Sequence, residues 1–355
     1  MSEEAANHPS RKNTESDHPA TELCYDEAGF PEETDPNGVE SVDPDTTIAC
    51  ITLDLENDWY FDDPEYDHLT FEYIDDYIEV IKNLGVPVTF FVVGKTIERF
   101  PDVIDKLDEE LECEFHLHSY QHDTSKSYDF RTEIQNGKEA FESHFGYEPL
   151  GYRAPQGNIE PHEFEILEDE GFVFDSSVFP SYRPGVYSNL DEPITPYLPS
   201  EAEELLEIPI GVTKQTRIPT CQSYLKLLGR PYLRYLERAS LPDPLVVNTH
   251  LQDFYRTASH DRLNQPKQFI MKRNLNRSVE MFSQLVDVLQ AREYSFVTVT
   301  EMLKQSHATP DLTVDTFADR QDKEPASDVD LDVEANPDKE SEQVKLAMEN
   351  ESTDD

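Results

Sequence analysis

Hydrophobic positions between residues 47 and 306 follow two alternating patterns along the chain. Short apolar runs rich in β-branched and aromatic residues are typical of buried strands. They predict strands at residues 48–53, 86–93, 113–118, 150–153, 172–175, 244–250 and 295–299. Between these runs, apolar residues recur at helical spacing with acidic residues on the opposite face. This second pattern predicts helices at residues 69–84, 102–111, 130–145, 162–171 and 271–291.

Strands that alternate with amphipathic helices indicate an α/β fold with a parallel sheet. For about 260 residues, a closed or distorted (β/α) barrel fits this pattern better than two domains. Residues 179–243 interrupt the alternation, because they are rich in Pro and Tyr and contain one strand-like piece (205–210) and one helix-like piece (223–239). We therefore expect an elaborated insertion at 179–243 that shapes a substrate cleft.

Acidic residues dominate the composition, with 75 Asp and Glu against 29 Lys and Arg in 355 residues and a net charge of −46. This excess argues against binding to nucleic-acid phosphates or to an anionic membrane. Residues 1–46 carry −11 and residues 307–355 carry −12 without hydrophobic periodicity, which predicts disordered acidic tails. The remaining −23 lies in a folded domain at 47–306 and, with lysine scarce, favours a halophilic protein over a mesophilic one with acidic tails.

Targeting signals and cysteine motifs are both missing from the sequence pattern. The first residues, MSEEAANHPS, have no basic and apolar signal-peptide regions, and no apolar run approaches a membrane span. We therefore expect a cytoplasmic protein without membrane insertion. The four cysteines are scattered without a CxxC pair, which does not support a thiolate zinc site or a disulfide scaffold.

Three carboxylates follow the first predicted strand. In parallel α/β folds, active sites assemble where strands exit into loops at their carboxyl ends. The segment TLDLENDW places Asp54, Glu56 and Asp58 at such a position. They are able to supply a general base and an oxygen ligand for a cation. Surface solvation is the alternative interpretation, because acids are so common in this chain.

Histidines follow the third predicted strand, in the segment FHLHSYQHD. His118 and His122 are separated by four positions, which would put both imidazoles on one face of a helical turn, a spacing that allows both to bind one metal ion. A chance pair is the alternative among 11 histidines. His116, two residues before His118, is as consistent with a packed residue as with a ligand.

Later strand ends add three further polar groups. Arg153 lies in YRAPQG, where a tight loop could aim the guanidinium and backbone N–H groups into a site, although an ordinary turn explains the loop equally well. Asp175 ends the next predicted strand, and His250 ends PLVVNTH, a position where a lone histidine is more often structural. Together the strand ends offer a metal site, a base, an acid and an oxyanion-binding loop, which are the groups needed to hydrolyse an amide.

The ordered elements TLDLE, HSYQH, YRAPQG, FDSS and NTH resemble the polysaccharide deacetylase family, the NodB-homology domain of carbohydrate esterase family 4. HSYQH matches the family motif H-S/T-x-x-H, and RAPQG matches R-x-P-x-G. The first element departs from the common T-F-D-D-G, because Leu55 separates the two acids, so either Glu56 or Asp58 remains possible as the metal carboxylate. The resemblance covers roughly residues 47–304, with 179–243 outside it.

The resemblance implies a distorted (β/α) barrel, often with seven strands, and metal-dependent removal of an N-acetyl or O-acetyl group from a sugar. By the same resemblance, Glu56, His118 and His122 would hold a divalent metal. Two histidines and one carboxylate suit Zn²⁺ best, while Co²⁺, Ni²⁺ and Mn²⁺ also accept such ligands.

Catalytic roles also follow from the resemblance. Asp54 would be the general base, and Arg153 would pair with it and orient it. The backbone N–H near Gln156 would help to stabilise the oxyanion. His250 would protonate the departing amine, and Asp175 would hydrogen-bond to His250 and keep it cationic.

Aromatic residues Trp59, Tyr60 and Phe61 directly follow the first motif, where they would form a wall for a sugar ring or, alternatively, pack in the core. The leading hypothesis is a sugar N-deacetylase that acts on a glycan precursor inside the cell, such as a nucleotide- or lipid-linked acetamido sugar. The alternatives are an amidohydrolase of the same fold on a non-sugar amide or ureide, and a catalytically silent carbohydrate-binding protein. The sequence does not predict an oligomeric state.

Overall fold

The computed structural model describes residues 47–61 and 63–305 of the chain. The predictions of disordered tails at 1–46 and 307–355 lie outside these residues. Among the described residues, none of the helices combines the length and apolar character needed to cross a membrane.

The described chain alternates strands and helices, as the hydrophobic pattern predicts. The strands are β1 (Thr47–Leu55), β2 (Val88–Val92), β3 (Cys113–Leu117), β4 (Gly151–Tyr152), β5 (Phe174–Asp175), β6 (Tyr182–Arg183), β7 (Tyr187–Ser188), β8 (Leu206–Glu207), β9 (Leu245–His250) and β10 (Tyr294–Phe296). The helices are α1 (Ile74–Leu84), α2 (Gly94–Arg99), α3 (Pro101–Glu110), α4 (Phe130–Phe145), α5 (Pro161–Asp169), α6 (Gln222–Leu228), α7 (Arg230–Leu236), α8 (Lys267–Lys272), α9 (Ser278–Gln290) and α10 (Val299–Gln305).

One large sheet consists of parallel strands in the order β10-β1-β2-β3-β4-β5-β8, and β9 pairs in parallel with β1. A parallel bridge between Ile210, just after β8, and Val246 of β9 joins the end of this order to its beginning. The N–H of Gly211 donates to the Val246 carbonyl oxygen over 2.8 Å at this closure. The predicted distorted (β/α) barrel is therefore confirmed.

The two ends of the barrel differ in chemistry. An apolar cluster of Cys50, Phe91, Phe174 and Val246 packs together with Met302 of α10. α10 lies towards the amino ends of the strands, because the Thr300 N–H donates to Glu114 Oε1 near the start of β3. The opposite, carboxyl ends are left for polar side chains.

The predicted insertion at 179–243 contains a barrel strand. β8 pairs in parallel with β5, with Asp175 opposite Glu207, so this part of the segment belongs to the barrel and not to an insertion. A strand of two residues within a Pro-rich segment shows too little periodicity to be placed in the sheet from the sequence. β6 and β7 form a separate antiparallel hairpin within the same segment.

Several predicted helices are divided or shortened. The helix-like piece 223–239 is split into α6 and α7, because Gly229 adopts φ 71° between them and Pro231 follows. The predicted helix 271–291 begins only at Ser278, after Asn274 adopts the left-handed φ of 56°. In the predicted helix 69–84, residues Leu69–Tyr73 form a 3₁₀ turn before α1.

Candidate active site

Polar side chains gather at the carboxyl ends of β1, β3, β4 and β9. Asp54 and Glu56 lie at the end of β1, His118 follows β3, Arg153 follows β4 and His250 ends β9. All except His250 are buried, and the His250 side chain is 24 % exposed. Because the strands are parallel and neighbouring, their ends bring residues that are distant in sequence to one place.

Glu56, His118 and His122 form the candidate metal centre. Glu56 Oε2 lies 2.5 Å from His122 Nε2 and 3.7 Å from His118 Nε2. One ligand atom from each of the three buried side chains lies within 4.8 Å of the others. Two imidazoles and one carboxylate are a donor set that suits a divalent transition metal.

The hydrogen bonding of His118 fits metal binding. Its Nδ1 lies 2.7 Å from the Arg153 carbonyl oxygen, so Nδ1 carries the hydrogen and donates. The Nε2 lone pair is then free and faces Glu56. Metal-binding histidines usually have such a partner on their other ring nitrogen, because it fixes both the tautomer and the ring orientation. The residues present therefore fit a metal ion.

Asp58 occupies a different environment from Glu56. One oxygen of Asp58 accepts hydrogen bonds from the Thr70 N–H at 3.2 Å and the Thr70 hydroxyl at 2.6 Å. The other accepts from the Ser259 hydroxyl at 2.9 Å. Asp58 thus ties the loop after β1 to distant segments, and the structure places Glu56, not Asp58, beside the two histidines.

The segment from His118 to His122 is not a helical turn, so the expectation of a helical face is wrong. Ser119 and His122 have φ values of 61° and 55°, which turn the backbone sharply. Glu133 of α4 holds this turn, because its Oε1 accepts from the Ser119 hydroxyl and from the Tyr120 and Gln121 N–H groups at 2.8–3.0 Å. The sequence analysis missed Glu133, although an acid on the buried stripe of a predicted helix is a signal that could have identified it.

Arg153 binds Asp54 as the sequence predicts. Its Nη1 donates to Asp54 Oδ1 at 2.7 Å and to the Thr52 hydroxyl at 2.8 Å. Its Nε and Nη2 donate to the carbonyl and hydroxyl oxygens of Ser176. With all three of its side-chain nitrogens donating hydrogen bonds and only 1 % of its side chain exposed, Arg153 is a fixed charge.

The second oxygen of Asp54 faces the candidate acid. Asp54 Oδ2 accepts from Asn248 Nδ2 at 2.9 Å and lies 3.3 Å from His250 Nε2. Burial raises the pKa of Asp54, but Arg153, His118 and His250 outweigh burial and lower that pKa below its ordinary value. Asp54 is therefore a carboxylate with one oxygen fixed and one oxygen directed into the site.

His250 has a carboxylate partner that the sequence analysis missed. Its Nδ1 lies 3.4 Å from Asp253 Oδ2, and Asp253 Oδ1 lies 2.8 Å from the buried ammonium of Lys226. Burial lowers the pKa of His250, but hydrogen bonds to Asp253 and Asp54 raise that pKa well above its ordinary value. Asp253 comes three residues after His250, and Lys226 comes from α6, so only the fold brings the lysine into this chain of contacts.

Asp175 lies next to Glu207, where the sequence analysis expected contact with His250. The Ser177 N–H and hydroxyl donate to Asp175 at 3.0 and 2.6 Å, and the Ser177 hydroxyl accepts from the Ala154 N–H at 2.7 Å. Burial raises the pKa of both Asp175 and Glu207, and mutual repulsion raises that of Glu207 further. Within the described residues, Asp175 thus supports the loop after Arg153, and Asp253 occupies the position beside His250.

Of the remaining predicted residues, Tyr60 contacts the metal centre directly. Tyr60 stacks on the His122 ring at 4.1 Å between centroids and donates from its hydroxyl to Glu56 Oε2 over 3.2 Å. Trp59 is partly buried and donates to Ser259. Gln156 is exposed, with φ 57° in a turn directly after Arg153.

Among the three histidines of the segment FHLHSYQHD, His116 is the one that lies outside the metal centre. It is buried, its Nε2 lies 3.3 Å from Glu114 Oε1, and the edge of its ring packs against Phe174. These contacts agree with the interpretation of His116 as a packed residue.

Comparison with known proteins finds similarity over part of the chain. Residues 60–174 match the polysaccharide deacetylase family model. The matched segment includes His118, His122 and Arg153, while Asp54, Glu56 and His250 lie outside it. A peptidoglycan deacetylase-like protein, FGM2 of Gibberella zeae, is 28 % identical over 106 residues, which are 28 % of this chain and 31 % of the relative. The chain thus matches about a third of the length of this curated relative.

Solved structures of polysaccharide deacetylases are similar at low sequence identity. A putative polysaccharide deacetylase from Mycobacterium smegmatis is 20 % identical, with 72 % of this chain and 95 % of the other covered and a TM-score of 0.43. A mutant of the peptidoglycan deacetylase PdaC from Bacillus subtilis is 17 % identical, with 79 % and 99 % covered and a TM-score of 0.42. A carbohydrate esterase family 4 pseudoenzyme from Bacillus anthracis is 14 % identical, with 74 % and 67 % covered and a TM-score of 0.45.

Proposed function

We propose that this protein is a metal-dependent hydrolase that removes the acetyl group from an acetamido sugar or glycan precursor. The observation that carries this proposal is the convergence of Glu56, His118 and His122 beside Asp54, whose carboxylate is fixed by Arg153. The match of residues 60–174 to the polysaccharide deacetylase model supports the same chemistry. When bound, a divalent ion, for which we propose Zn²⁺, would polarise the acetyl carbonyl and lower the pKa of water.

Asp54 is the proposed general base. Its Oδ1 accepts from Arg153, whereas Oδ2 accepts from Asn248 and faces His250, so Oδ2 is the atom that would take a proton from the attacking water. Arg153 also prevents the carboxylate from rotating away, because it is itself held by Ser176. The water oxygen then forms a bond to the acetyl carbon while its proton moves to Asp54.

His250 is the proposed general acid. Its Nε2 lies 3.3 Å from Asp54 Oδ2, so the base and the acid face the same small volume. Asp253 contacts Nδ1 and keeps the second proton on Nε2, from where it passes to the departing nitrogen as the C–N bond breaks. The products are acetate and the free amine of the sugar.

Tyr60 supports a sugar as the substrate. Its ring lies against His122 and is 36 % exposed, so it presents an aromatic surface directly beside the proposed metal centre. Sugar rings bury their apolar C–H faces against such surfaces. We propose that the acetamido sugar packs against Tyr60 with its acetyl group directed towards Asp54.

Acetate release from acetamido sugars tests this function, with His118→Ala and His116→Gln as matched variants from the same strand segment. We expect the zinc-loaded protein and His116→Gln to release acetate, and His118→Ala to lose both zinc and activity. Release of acetate by His118→Ala at the wild-type rate would contradict the proposed site. Bound zinc without acetate release from any acetamido sugar would contradict the proposed reaction.

A further inference from the structure

The two carboxylate oxygens of Glu56 face different partners. Oε2 lies 2.5 Å from His122 Nε2 and 3.7 Å from His118 Nε2. Oε1, by contrast, accepts a hydrogen bond from Gln252 Nε2 at 3.0 Å and lies 3.9 Å from His250 Nε2. Glu56 therefore directs one oxygen to the two histidines of the metal centre and the other to residues at the end of β9.

Gln252 lies in the short 3₁₀ turn Leu251–Asp253 that directly follows β9. Because β9 pairs in parallel with β1, with His250 opposite Asp54, the residues just after both strands lie close together. Gln252 is buried, and a buried amide N–H needs an acceptor. Glu56 supplies this acceptor as a charged carboxylate, which makes the hydrogen bond stronger than one between neutral groups.

His260 holds the backbone of Gln252. Its Nδ1 accepts from the Thr257 N–H at 3.3 Å, so Nε2 carries the hydrogen and donates to the Gln252 carbonyl oxygen at 3.0 Å. Burial lowers the pKa of His260 below its ordinary value, which favours this neutral form of the ring. The edge of the ring also meets Trp59, with 5.1 Å between centroids. Gln252 is thus held at its backbone as well as at its side chain.

Asp58 ties this segment back to the loop that carries Glu56. Its Oδ2 accepts from the hydroxyl of Ser259, the neighbour of His260, at 2.9 Å. Asp58 itself comes two residues after Glu56. The contacts therefore form a closed circuit, which runs from Glu56 through Gln252 and His260 to Asp58 and back to the same loop. Such a circuit leaves the Gln252 amide little freedom to turn away from Glu56.

The hydrogen bond from Gln252 restricts what Glu56 offers to a metal ion. A carboxylate has about four lone-pair positions, so Oε2 accepts from the Tyr60 hydroxyl and still keeps a lone pair for a metal. A carboxylate without a partner on its second oxygen is able to rotate and present both oxygens. Partners of this kind orient metal-binding carboxylates and tune the affinity of the site.

We propose that Gln252 is a positioning residue, which holds Oε1 of Glu56 and leaves Oε2 as the one oxygen for the metal ion. This inference rests on the proposed function and assigns the residue that determines how the metal carboxylate binds. The same hydrogen bond acts on the proposed acid, because Oε1 lies near His250 Nε2. With Oε1 held by Gln252, Asp54 Oδ2 at 3.3 Å remains the nearer partner of that imidazole.

Zinc affinity and the visible spectrum of bound Co²⁺ test this inference without any need for acetate release. Gln252→Met keeps a flexible side chain of similar length and removes the amide. Gln222→Met is the matched control, because Gln222 is also a buried glutamine. Its Nε2 donates to the carbonyl and hydroxyl oxygens of Ser278 at 2.9 and 2.6 Å, not to a residue of the metal centre.

We expect Gln252→Met to bind zinc about 10- to 100-fold more weakly than wild type, because the binding of the metal must then order a carboxylate that is free to rotate. The Co²⁺ absorption bands should shift and weaken, since a released Oε1 joins Oε2 and raises the coordination number. Gln222→Met should keep the wild-type bands and a zinc affinity within about threefold of wild type, because it lies away from the metal centre. Should Gln252→Met not fold, Gln252→Asn carries the same prediction, since its amide is one carbon too short to reach Oε1.

Wild-type zinc affinity and wild-type Co²⁺ bands in the folded Gln252 variant would overturn the inference. Equal changes in Gln222→Met would also overturn it, because they would indicate a general loss of stability. Acetate release separates this inference from the proposed reaction. If the wild-type protein binds zinc but releases no acetate, the reaction fails, while altered zinc affinity and Co²⁺ bands in Gln252→Met still support the positioning role. If both proteins release acetate with the same zinc affinity and the same bands, only the inference fails.

Discussion

Two pairs of buried carboxyl groups lie at strand ends of the same barrel edge and have opposite surroundings. Asp54 and Glu56 lie at the end of β1, where Asp54 binds the Arg153 guanidinium and Glu56 lies beside the imidazoles of His118 and His122. Asp175 and Glu207 end β5 and β8 and face each other, without a cation in direct contact among the described residues. The first pair has pKa values below the ordinary range, and the second pair has pKa values above it.

This difference shows that a carboxyl group at a strand end takes its role from its neighbours. A charged carboxylate in a buried site is stable only with fixed positive charges or a metal ion, and it is then available for proton transfer or metal binding. A buried carboxyl pair without such charges retains a proton and serves as a hydrogen-bonding support. Here the second pair supports Ser177 and, through it, the loop that carries Arg153.

The largest effect is expected from the first pair. Asp54→Asn removes the proposed base but keeps the shape and the contact with Arg153, so kcat should fall by a factor of about 10² to 10⁴. Zinc affinity should change little, because Glu56, His118 and His122 remain. Asp175→Asn is the comparison variant and should lower kcat by less than about tenfold, since it acts only through the loop. An equal fall in kcat in the two variants would contradict the different roles assigned to the two carboxyl pairs.

A smaller effect, on stability, is expected at Asp253, which contacts the ammonium of Lys226 as Asp54 contacts Arg153. Lys226→Met leaves the buried Asp253 without its ammonium partner, so the free energy of unfolding should fall by about 3–5 kcal/mol in chemical denaturation. The double variant Lys226→Met/Asp253→Asn should recover part of this stability, because the unpaired charge is gone. Its kcat should remain low, because His250 has lost the carboxylate that orients it. No recovery of stability in the double variant would show that the ion pair is not what stabilises this region.

The smallest effect is a change in the pH dependence of stability. Because the folded-state pKa of Glu207 is raised, its stabilising contribution is complete below the unfolded pKa and is lost as pH rises through the folded pKa. Glu207→Gln removes this titration, so as pH rises above the ordinary glutamate pKa of 4.5 the unfolding free energy should fall less steeply than in wild type, by up to about 1.4 kcal/mol per pH unit. Glu203→Gln, at an exposed position nearby, should leave the slope unchanged. If the unfolding free energy depends on pH equally steeply in wild type and Glu207→Gln, Glu207 is not the group that titrates.

The barrel could be predicted because its strands are continuous apolar runs with helical segments between them. β2 illustrates this, since all five residues Val88–Val92 are buried. β8 could not be placed, because two residues give no periodicity and pairing with β5 depends on the closed sheet. The division of 223–239 at Gly229 could have been expected, since a Gly-Arg-Pro segment disfavours a continuous helix.

The candidate site was predicted where a motif is local and missed where contacts are distant. His118, His122 and Arg153 are close to their motif partners in sequence and converge as expected. Lys226 comes from α6, whose orientation follows only from the packed barrel. The i,i+4 spacing predicted the two histidines that converge, but the predicted helical turn between them is wrong. The chain there is a turn with left-handed residues.

Zinc titration of the metal-free protein tests the central claim most directly, with Glu56→Gln and Asp58→Asn compared against wild type. Both variants remove one buried negative charge from the same loop, but only Glu56 lies beside His118 and His122. The account predicts that Glu56→Gln weakens zinc binding by about 100-fold or more, while Asp58→Asn stays within about tenfold of wild type. Loss of zinc binding in Asp58→Asn together with wild-type affinity in Glu56→Gln would contradict it.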